Sequence, residues 1–564
     1  MMVPILAVLV GFSGPTTSSG AALLKGRGAR SGSAPRAPET WTARPGSFSR
    51  FSGAGPAGEF FASQPKADYP ALRQRLLRGN YAEALAGYDD LARSEKLPLA
   101  FLGQSACLRA QGEYAKARDA LDAGLKAHPG HPDLLAARAD LLFAQGKWDD
   151  ATHDANDVLK KDGDHFLARW VRARVLRDGG DLSGADTEMR WFVKAYTDAA
   201  AAGKEITDPD KLLIVAQAGI ENATTHAKHE QFKFILQELL RDALKPDADF
   251  WPAEHLSGQL LLSKHNRAEA ANAFDAALKI NPKAVEALVG KGAIALERME
   301  YAEAERRADL ALKVNPNHPA ALRLKADVRL AEADPAGAEQ LLRTARAINP
   351  RDAATLARFA ALKHLAGDRP AAAAFEKEVA AFDAKPATFY LELGTILSDA
   401  RQFQTATECF ETASALRPAL PGPKAGLGLL LYMQGREPEA MAALKASMKA
   451  DPFNVRVDNA LKVLEELAGY ATTETAHFVI RFDKKNDHVL AAFLADVLEE
   501  THAELAKQYG FEPPGKIPVV SSWRLGFVGR SCSSNGLIFA ICRCQPIGQQ
   551  YQAYRRQCPP EAAG

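Results

Sequence analysis

AEAANAFDAALKINP at residues 268–282 and YAEAERRADLALKVNP at residues 301–316 place an alanine, an apolar helical run and a closing proline in one register. Working outward from them, Pro282, Pro316 and Pro350 follow at intervals of 34 residues, as do Pro418 and Pro452. Pro386 stands two positions from the missing member at 384. Ala270, Ala304, Ala338, Ala372, Ala406 and Ala440 form an unbroken ladder at the same interval, and Gly258, Gly292, Gly394 and Gly428 hold a third phase. Upstream, Gly112, Gly146 and Gly180 continue the step, with Gly79 a further 33 residues before. Internal repetition at such a period marks a solenoid of stacked supersecondary units.

Each phase has a physical task in a helix–turn–helix unit. Gly or Ala in the first helix lets a neighbour approach closely, and the alanine ladder marks where the second helix crosses the first. The turn carries Gly and then an aromatic, as in Gly79-Asn80-Tyr81, Gly112-Glu113-Tyr114 and Gly146-Lys147-Trp148. Phe274 and Phe410 are expected to fill the space between units, and Pro ends the second helix because it cannot continue the ladder. This pattern of small, aromatic and Pro positions resembles the tetratricopeptide-repeat family. The resemblance runs over most of residues 69–452 and implies about eleven repeats of ~34 residues. The fold class expected is all-α: a right-handed superhelical solenoid with a small α+β fragment at its C-terminal end.

Residues 196–250 lose the ladder, although FKFILQELLRDAL (232–244) remains an amphipathic helix. A short insertion near 197–212 followed by a degenerate repeat ending around Pro246 is one reading, and a hinge between two blocks is the other. The organisation expected is therefore a repeat block at 69–196, the irregular stretch at 197–250, and a second block with a capping helix at 251–468.

Basic and acidic residues nearly cancel, 70 against 69, so no broad field favours nucleic acid or an anionic membrane as partner. No apolar run reaches the ~18 residues of a transmembrane helix. Val3 to Phe12 has the length of a signal-peptide core, yet no Lys or Arg precedes Lys25. That favours the cytoplasm, with export as the alternative. Residues 14–58, rich in Gly, Ser, Ala, Pro and Arg, read as a disordered part of a 1–68 leader. Cys107 and Cys409, alone in helical sequence, read as buried thiols.

The concave face of such a solenoid is lined by the first helix of each repeat. Counted from the glycine phase, it includes His255, Gln259, Arg323 and Asp327, followed by His364, Thr395, Ser398 and Tyr432. Singly, each also reads as a solvated polar position of an amphipathic helix. The Lys and Asn set with which related domains clamp a chaperone's C-terminal carboxylate is not present in consecutive repeats. The expected partner is a protein or peptide of unassigned identity.

After the capping helix Val455 to Leu467 the pattern changes. HFVIRF (477–482) alternates like a strand, Asp487 to Tyr509 reads as a helix with Asp487 as N-cap and Gly510 as stop, and Ile517 to Val520 as a second strand. Residues 474–518 are similar to the opening of the peptidase-MA-like domain that follows tetratricopeptide repeats in some bacterial proteins. That resemblance implies a zinc helix of the form H-E-x-x-H. The one His-Glu pair, His229-Glu230, has Lys233 where the second histidine is required. No catalytic residue, cofactor or metal ligand is therefore assigned.

From 519 to 564 the sequence holds four cysteines, Cys532, Cys542, Cys544 and Cys558, and one acid, Glu561. A premature frame change that cuts short a longer peptidase-like domain is one expectation, and a divergent genuine tail is another. A zinc site is disfavoured by the tight Cys542-x-Cys544 spacing, and a basic contact surface by the few charges. The leading function is a binding scaffold using the concave face, and the alternative is a truncated or inactive relative of repeat-linked zinc peptidases. The register itself is testable. Ala304→Leu should overpack the helix crossing and lower stability by about 1–3 kcal/mol in chemical unfolding, whereas unfolding identical to the parent would count against this frame.

Overall fold

The structure, a computed structural model, describes residues 69–510, 512–513 and 515–521. The chain divides into two units, residues 1–54 and 55–564, and every described residue belongs to the second. The signal-like segment, the 14–58 stretch and the four tail cysteines lie outside the described residues.

Helical pairs follow one another from Tyr69 to Ala468. Many first helices open with Pro at N1 or N2, as in Pro98–Ala110, Pro132–Ala144 and Pro319–Ala331. There the fixed φ is pre-organised and no N–H is lost. Reversal into the second helix takes about three residues and requires one left-handed residue. Eleven pairs use one: Gly79, Gly112, Gly146, Gly180, Ala227, His265, Met299, Ala333, Gly367, Arg401 and Gly435.

Between Gly180 and His265 the 34-residue step is lost. The helix Leu182–Ala201 grows to 20 residues and runs unbroken through 196 and 197. A loop at 202–208 and the helix Pro209–Thr225 follow, and residues Ile235–Leu239 form a π turn within the helical stretch 230–244.

The core follows from the small-residue phases. Ala270, Ala304, Ala338, Ala372, Ala406 and Ala440 are all fully buried. A Cβ on Gly258 or Gly290 would lie 2.5 or 2.4 Å from the Phe274 ring, so that ring is clasped between two glycines of adjacent first helices. The helix Val455–Ala468 closes the array, with Val457, Ala460, Leu461 and Leu464 packed on Ala440 and Leu444 of the last pair. Its Asn454 cap accepts from the Val457 amide at 3.1 Å.

Units about six repeats apart also touch, along a seam between the turns of one stretch and the loops of another. Each loop begins with an Asn or Asp whose Oδ1 accepts from the amide two residues on, as in Asn281 with Lys283 and Asn315 with Asn317. Those side chains rest on the glycine turns: a Cβ on Gly79 or Gly112 would sit 2.3 Å from Asn281 or Asn315 Oδ1. Asn281 Nδ2 donates to the Tyr81 hydroxyl at 3.1 Å, and Lys283 Nζ to the Gly79 carbonyl at 3.1 Å. One rung along, Asn315 Nδ2 donates to the Tyr114 hydroxyl at 3.2 Å, and Asn317 Nδ2 to the Gly112 carbonyl at 3.1 Å. Asn349 faces Gly146 in the same way, while Arg351 lies over the Trp148 ring and pairs with Asp149. At the fourth rung the Ala384 amide donates to the Gly179 carbonyl at 3.2 Å. A last rung joins Lys264 to Asp451 at 2.9 Å, with the Val455 amide donating to the Lys264 carbonyl.

Three strands and a helix follow the array: β1 (Ala471–Glu474), β2 (Phe478–Phe482), the helix His488–Tyr509 and β3 (Ile517–Ser521). β1 pairs antiparallel with β2, and β2 parallel with β3, a pairing that needs the helical crossover between them. Phe478, Ile480 and Phe482 alternate inward onto Ala491 of the helix and Val519 of β3. Gly510 ends the helix in the left-handed conformation. Arg481 of β2 pairs with Glu437, tying the sheet to the last helical pair.

Two glycines separate backbone strain from seam contact. Gly367 has φ +78° with nothing within 4 Å of its Cβ position, so Gly367→Ala should cost about 1 kcal/mol for the left-handed backbone alone. Gly112→Ala should cost about 1–3 kcal/mol more, since the buried Asn315 oxygen must be displaced. Equal losses of thermal stability in the two variants would mean that the seam does not form.

Candidate functional site

The first helices of successive pairs carry charged side chains that neutralise one another in chains along the array. Arg358 in the helix Ala353–Leu365 makes two hydrogen bonds to Asp327 in Pro319–Ala331, at 2.7 and 2.8 Å. A third bond, at 3.1 Å, reaches Glu392 in Ala387–Asp399. The planar guanidinium fork suits this bidentate contact. Burial opposes its charge, but the two carboxylates outweigh burial and hold Arg358 protonated. A second chain runs through the N-terminal repeats, where Asp140 pairs with both Arg109 and Arg174. Burial acts to raise the Asp140 pKa, yet the two guanidiniums bring it far below the usual carboxylate range.

The eight positions read from the sequence fall into different environments. Asp327 belongs to the Arg358 chain, and Arg323 pairs with Asp352 at the start of the next first helix. His255 is half-buried, its ring 5.9 Å from Phe274 and 6.2 Å from Trp251, and burial lowers its pKa. Gln259 and Thr395 are exposed, the Thr395 hydroxyl donating to the Leu391 carbonyl one turn back. His364 is half-buried near the end of its helix. Tyr432 is half-buried against the apolar cluster of the last pair, and its hydroxyl pKa is raised by burial and by Glu437. Ser398 is buried at 8 % exposure, because its helix turns that side toward the core holding Leu397 and Phe410. It offers almost no surface to a ligand.

Sequence reading missed Arg358, Asp352 and Glu392, although a signal existed. Arg358 lies 31 residues after Asp327 and 34 before Glu392, so charges of opposite sign recur near the repeat period.

Two first helices are capped by a histidine side chain. His318 Nδ1 accepts from the Ala321 amide at 3.4 Å while Nε2 lies 3.9 Å from Glu286. His165 repeats the arrangement with the Ala168 amide at 3.3 Å and Asp133 at 3.0 Å. An accepting Nδ1 requires the neutral ring, since protonation would set a donor against an N–H. Burial lowers the His318 pKa against the pull of Glu286, with Arg323 and Arg109 adding to the lowering. Burial alone would raise the Glu286 pKa, but His318 and His255 bring it down.

In the C-terminal unit His477 donates to Glu499 through its amide at 2.8 Å, with Nδ1 2.6 Å from the other carboxylate oxygen. The His477 ring stacks on His502 at 3.9 Å. Hydrogen bonds from His477, then Thr475, lower the Glu499 pKa to about 2. Among the described residues no group of three or more His, Cys, Asp or Glu is placed to hold a metal. No helix among them is long and apolar enough to cross a membrane. Cys107 and Cys409 are buried free thiols, whose pKa burial pushes up to about 12.

The His318 cap fixes a sign for pH dependence. Its folded pKa lies below the unfolded value of about 6.5, so the unfolded chain takes up the proton first. Its contribution is complete above that pH and is lost as pH falls below it. The melting temperature should therefore drop between pH 7.5 and 5.5, with His131, His229 and His255 adding to the drop, since burial lowers each. His318→Asn keeps a capping acceptor and should flatten the curve; parallel curves would rule out the neutral cap.

Two tetratricopeptide-repeat models match the sequence, one over residues 108–174 and 261–328, the other over 75–132 and 391–455. No curated protein matches it. Among solved structures, yeast Tom70 is similar at 17 % identity, covering 71 % of this chain and 96 % of its own, with a TM-score of 0.30. The APC/C hetero-tetramer Cut9–Hcn1 is similar at 11 % identity, with the same coverages and a TM-score of 0.29. A tetratricopeptide repeat protein from Parabacteroides merdae is similar at 16 % identity, covering 53 % of this chain and 98 % of its own, with a TM-score of 0.30. At these TM-scores the structural likenesses add nothing to the argument. The sequence matches fall on both sides of the irregular stretch, on helical pairs that share one turn geometry, and the chain carries tetratricopeptide repeats.

Proposed function

We propose that the chain is a binding scaffold that holds an extended segment of a partner protein along the concave face of its repeats. The observation that supports this most is the Asp327–Arg358–Glu392 chain, which fixes charged groups on three successive first helices. Groups already held in place lose little freedom when they meet a partner, so polar recognition costs less there than on a loose surface. Thr395, three residues after Glu392, and Gln259, two first helices before Asp327, are exposed and not part of any apolar core. The partner suited to such a face is a peptide of mixed charge that runs across several repeats.

The likeness of residues 474–518 to the opening of a peptidase-MA-like domain rests on sequence alone. Nothing in the His477–Glu499–His502 cluster favours a catalytic reading over a structural one.

A peptide array of varied charge, probed with the whole chain and followed by fluorescence anisotropy on retained peptides, tests the proposal. Gln259→Arg and Thr395→Arg, at exposed positions, should each weaken retained peptides by about tenfold, roughly 1.4 kcal/mol. Retention unchanged in both variants would move binding away from this face, and an array with no retained peptide would reject the peptide scaffold.

A further inference from the structure

We propose that the outer side of the helix His488–Tyr509 is a surface on which two copies of this chain pair, with the two helices antiparallel and crossing near Phe493.

The layer to which the helix belongs leaves that side uncovered. Side chains alternate between the two faces of a strand. Phe478, Ile480 and Phe482 of β2 turn one face toward Ala491 of the helix, and Arg481 turns the other toward Glu437 of the last helical pair. The sheet therefore lies between the array and the helix, and the helix is the outside of the layer. Its inner side buries Ala491, Leu494 and His502. Of the eleven large apolar side chains exposed among the described residues, five stand on this one helix. Val489 is 70 % exposed, Phe493 61 % and Val497 37 %. Steps of four residues bring these three onto adjacent turns of one side. Single exposed apolar residues need no explanation, but a row of them marks an interaction surface.

Charge decides which partner fits the row. Lys484 and Lys485 stand exposed in the turn just before the helix, and Asp496, Glu500 and Glu504 are exposed along it. None of the five has an ion-pair partner among the described residues. At 1.5 Å per residue, Lys485 lies roughly 12 Å before Phe493 and Glu500 roughly 10 Å after it. An antiparallel helix centred on Phe493 therefore sets Lys485 beside Glu500 of the second copy, and the reverse pair forms at the other end. Val489 then packs on Val497 of the second copy, and Phe493 on its own counterpart. Parallel helices would instead oppose Lys485 to Lys485 and Glu500 to Glu500. The surface is thus complementary to itself when the helices run in opposite directions, as a two-fold axis across them requires. One helix from each copy is a small contact, so the pairing is weak and set by concentration. It joins two copies through their C-terminal layers, and each assembly carries two repeat arrays.

Sedimentation velocity of the whole chain under reducing conditions, at concentrations that bracket about 10 μM, tests the pairing. The weight-average mass should rise about twofold with concentration, toward that of a dimer. Phe493→Asp should weaken association at least about tenfold without lowering the melting temperature, because the ring is largely exposed. Lys485→Glu and Glu500→Lys should each weaken it roughly two- to tenfold, and the double variant should recover the association of the parent.

A chain that stays monomeric throughout would overturn the second copy, and so would association unchanged by Phe493→Asp. Charge variants that weaken association without recovery in the double variant would overturn the antiparallel register. In a monomeric chain, maleimide labelling of Phe493→Cys, read by peptide mass spectrometry, shows what holds the face instead. A thiol that resists is covered by the chain itself, one that reacts is open to a different partner, and either result excludes the dimer.

Discussion

The crossing of first and second helices at a fully buried alanine sets everything else. Six such alanines, from Ala270 to Ala440, have no exposed surface, so the two helices of each pair meet at backbone distance. Close crossing fixes the angle within a pair, and glycines such as Gly258 and Gly290 around Phe274 fix the angle between pairs. A constant rotation per repeat follows. A regular solenoid with that rotation returns beside itself after a set number of units, here about six. The irregular stretch lies between the two sides of each of the first four rungs, and partners at the Tyr81 and Tyr114 turns are separated by nearly the same length of chain.

The polar groups of the array divide into two systems with different physics. Along the first helices, Arg358 and Asp140 sit in ion chains in which each charge is paired from both neighbouring repeats. Partly buried charges of this kind hold their geometry because removing one partner strands the other. Along the seam, backbone carbonyls and Asn side chains satisfy one another, and with Asn281 and Asn315 buried there a lost partner would leave an unsatisfied group out of reach of water. The first system ties successive first helices to one another, and the second ties turns to distant loops.

Much of this was legible in the sequence, for identifiable reasons. Periodicity exposed the helical pairs because Ala, Gly and Pro each answer a local steric demand. The strand, helix and strand after residue 470 were legible because HFVIRF alternates and Gly510 stops the helix. β1 was not, since Ala471-Thr472-Thr473-Glu474 has no apolar alternation and owes its pairing to β2. The start of the irregular stretch was set near 197, but Ala199 to Ala202 are strong helix formers and carry the helix on to Ala201. The groove positions were counted along single helices, which cannot reveal that Arg323 and Asp327 are already engaged by Asp352 and Arg358 of the next repeat. The seam was invisible for a deeper reason: Asn281 and Gly79 each look complete as local turn residues, and only the superhelical rotation brings them together.

The choice of left-handed residue at the turns argues that the seam is encoded. Every turn needs positive φ, yet Met299, Ala333 and Arg401 bear that strain with a Cβ in place. Their turns are exposed and have room for it. The four turns that receive Asn or Asp from a distant loop are all glycine, and at three of them a Cβ would come within 2.4 Å of that side chain. Backbone conformation alone would tolerate Ala or Asn at those places at modest cost, as it does elsewhere in the chain. What it cannot supply is the missing atom. Where the seam closes on a residue other than glycine, at Lys264 and His265, the Lys264 carbonyl accepts from the Val455 amide and its ammonium pairs with Asp451. Gly367 and Gly435 take the same conformation with no Asn or Asp upon them, so a missing Cβ is required at the seam turns and is not confined to them.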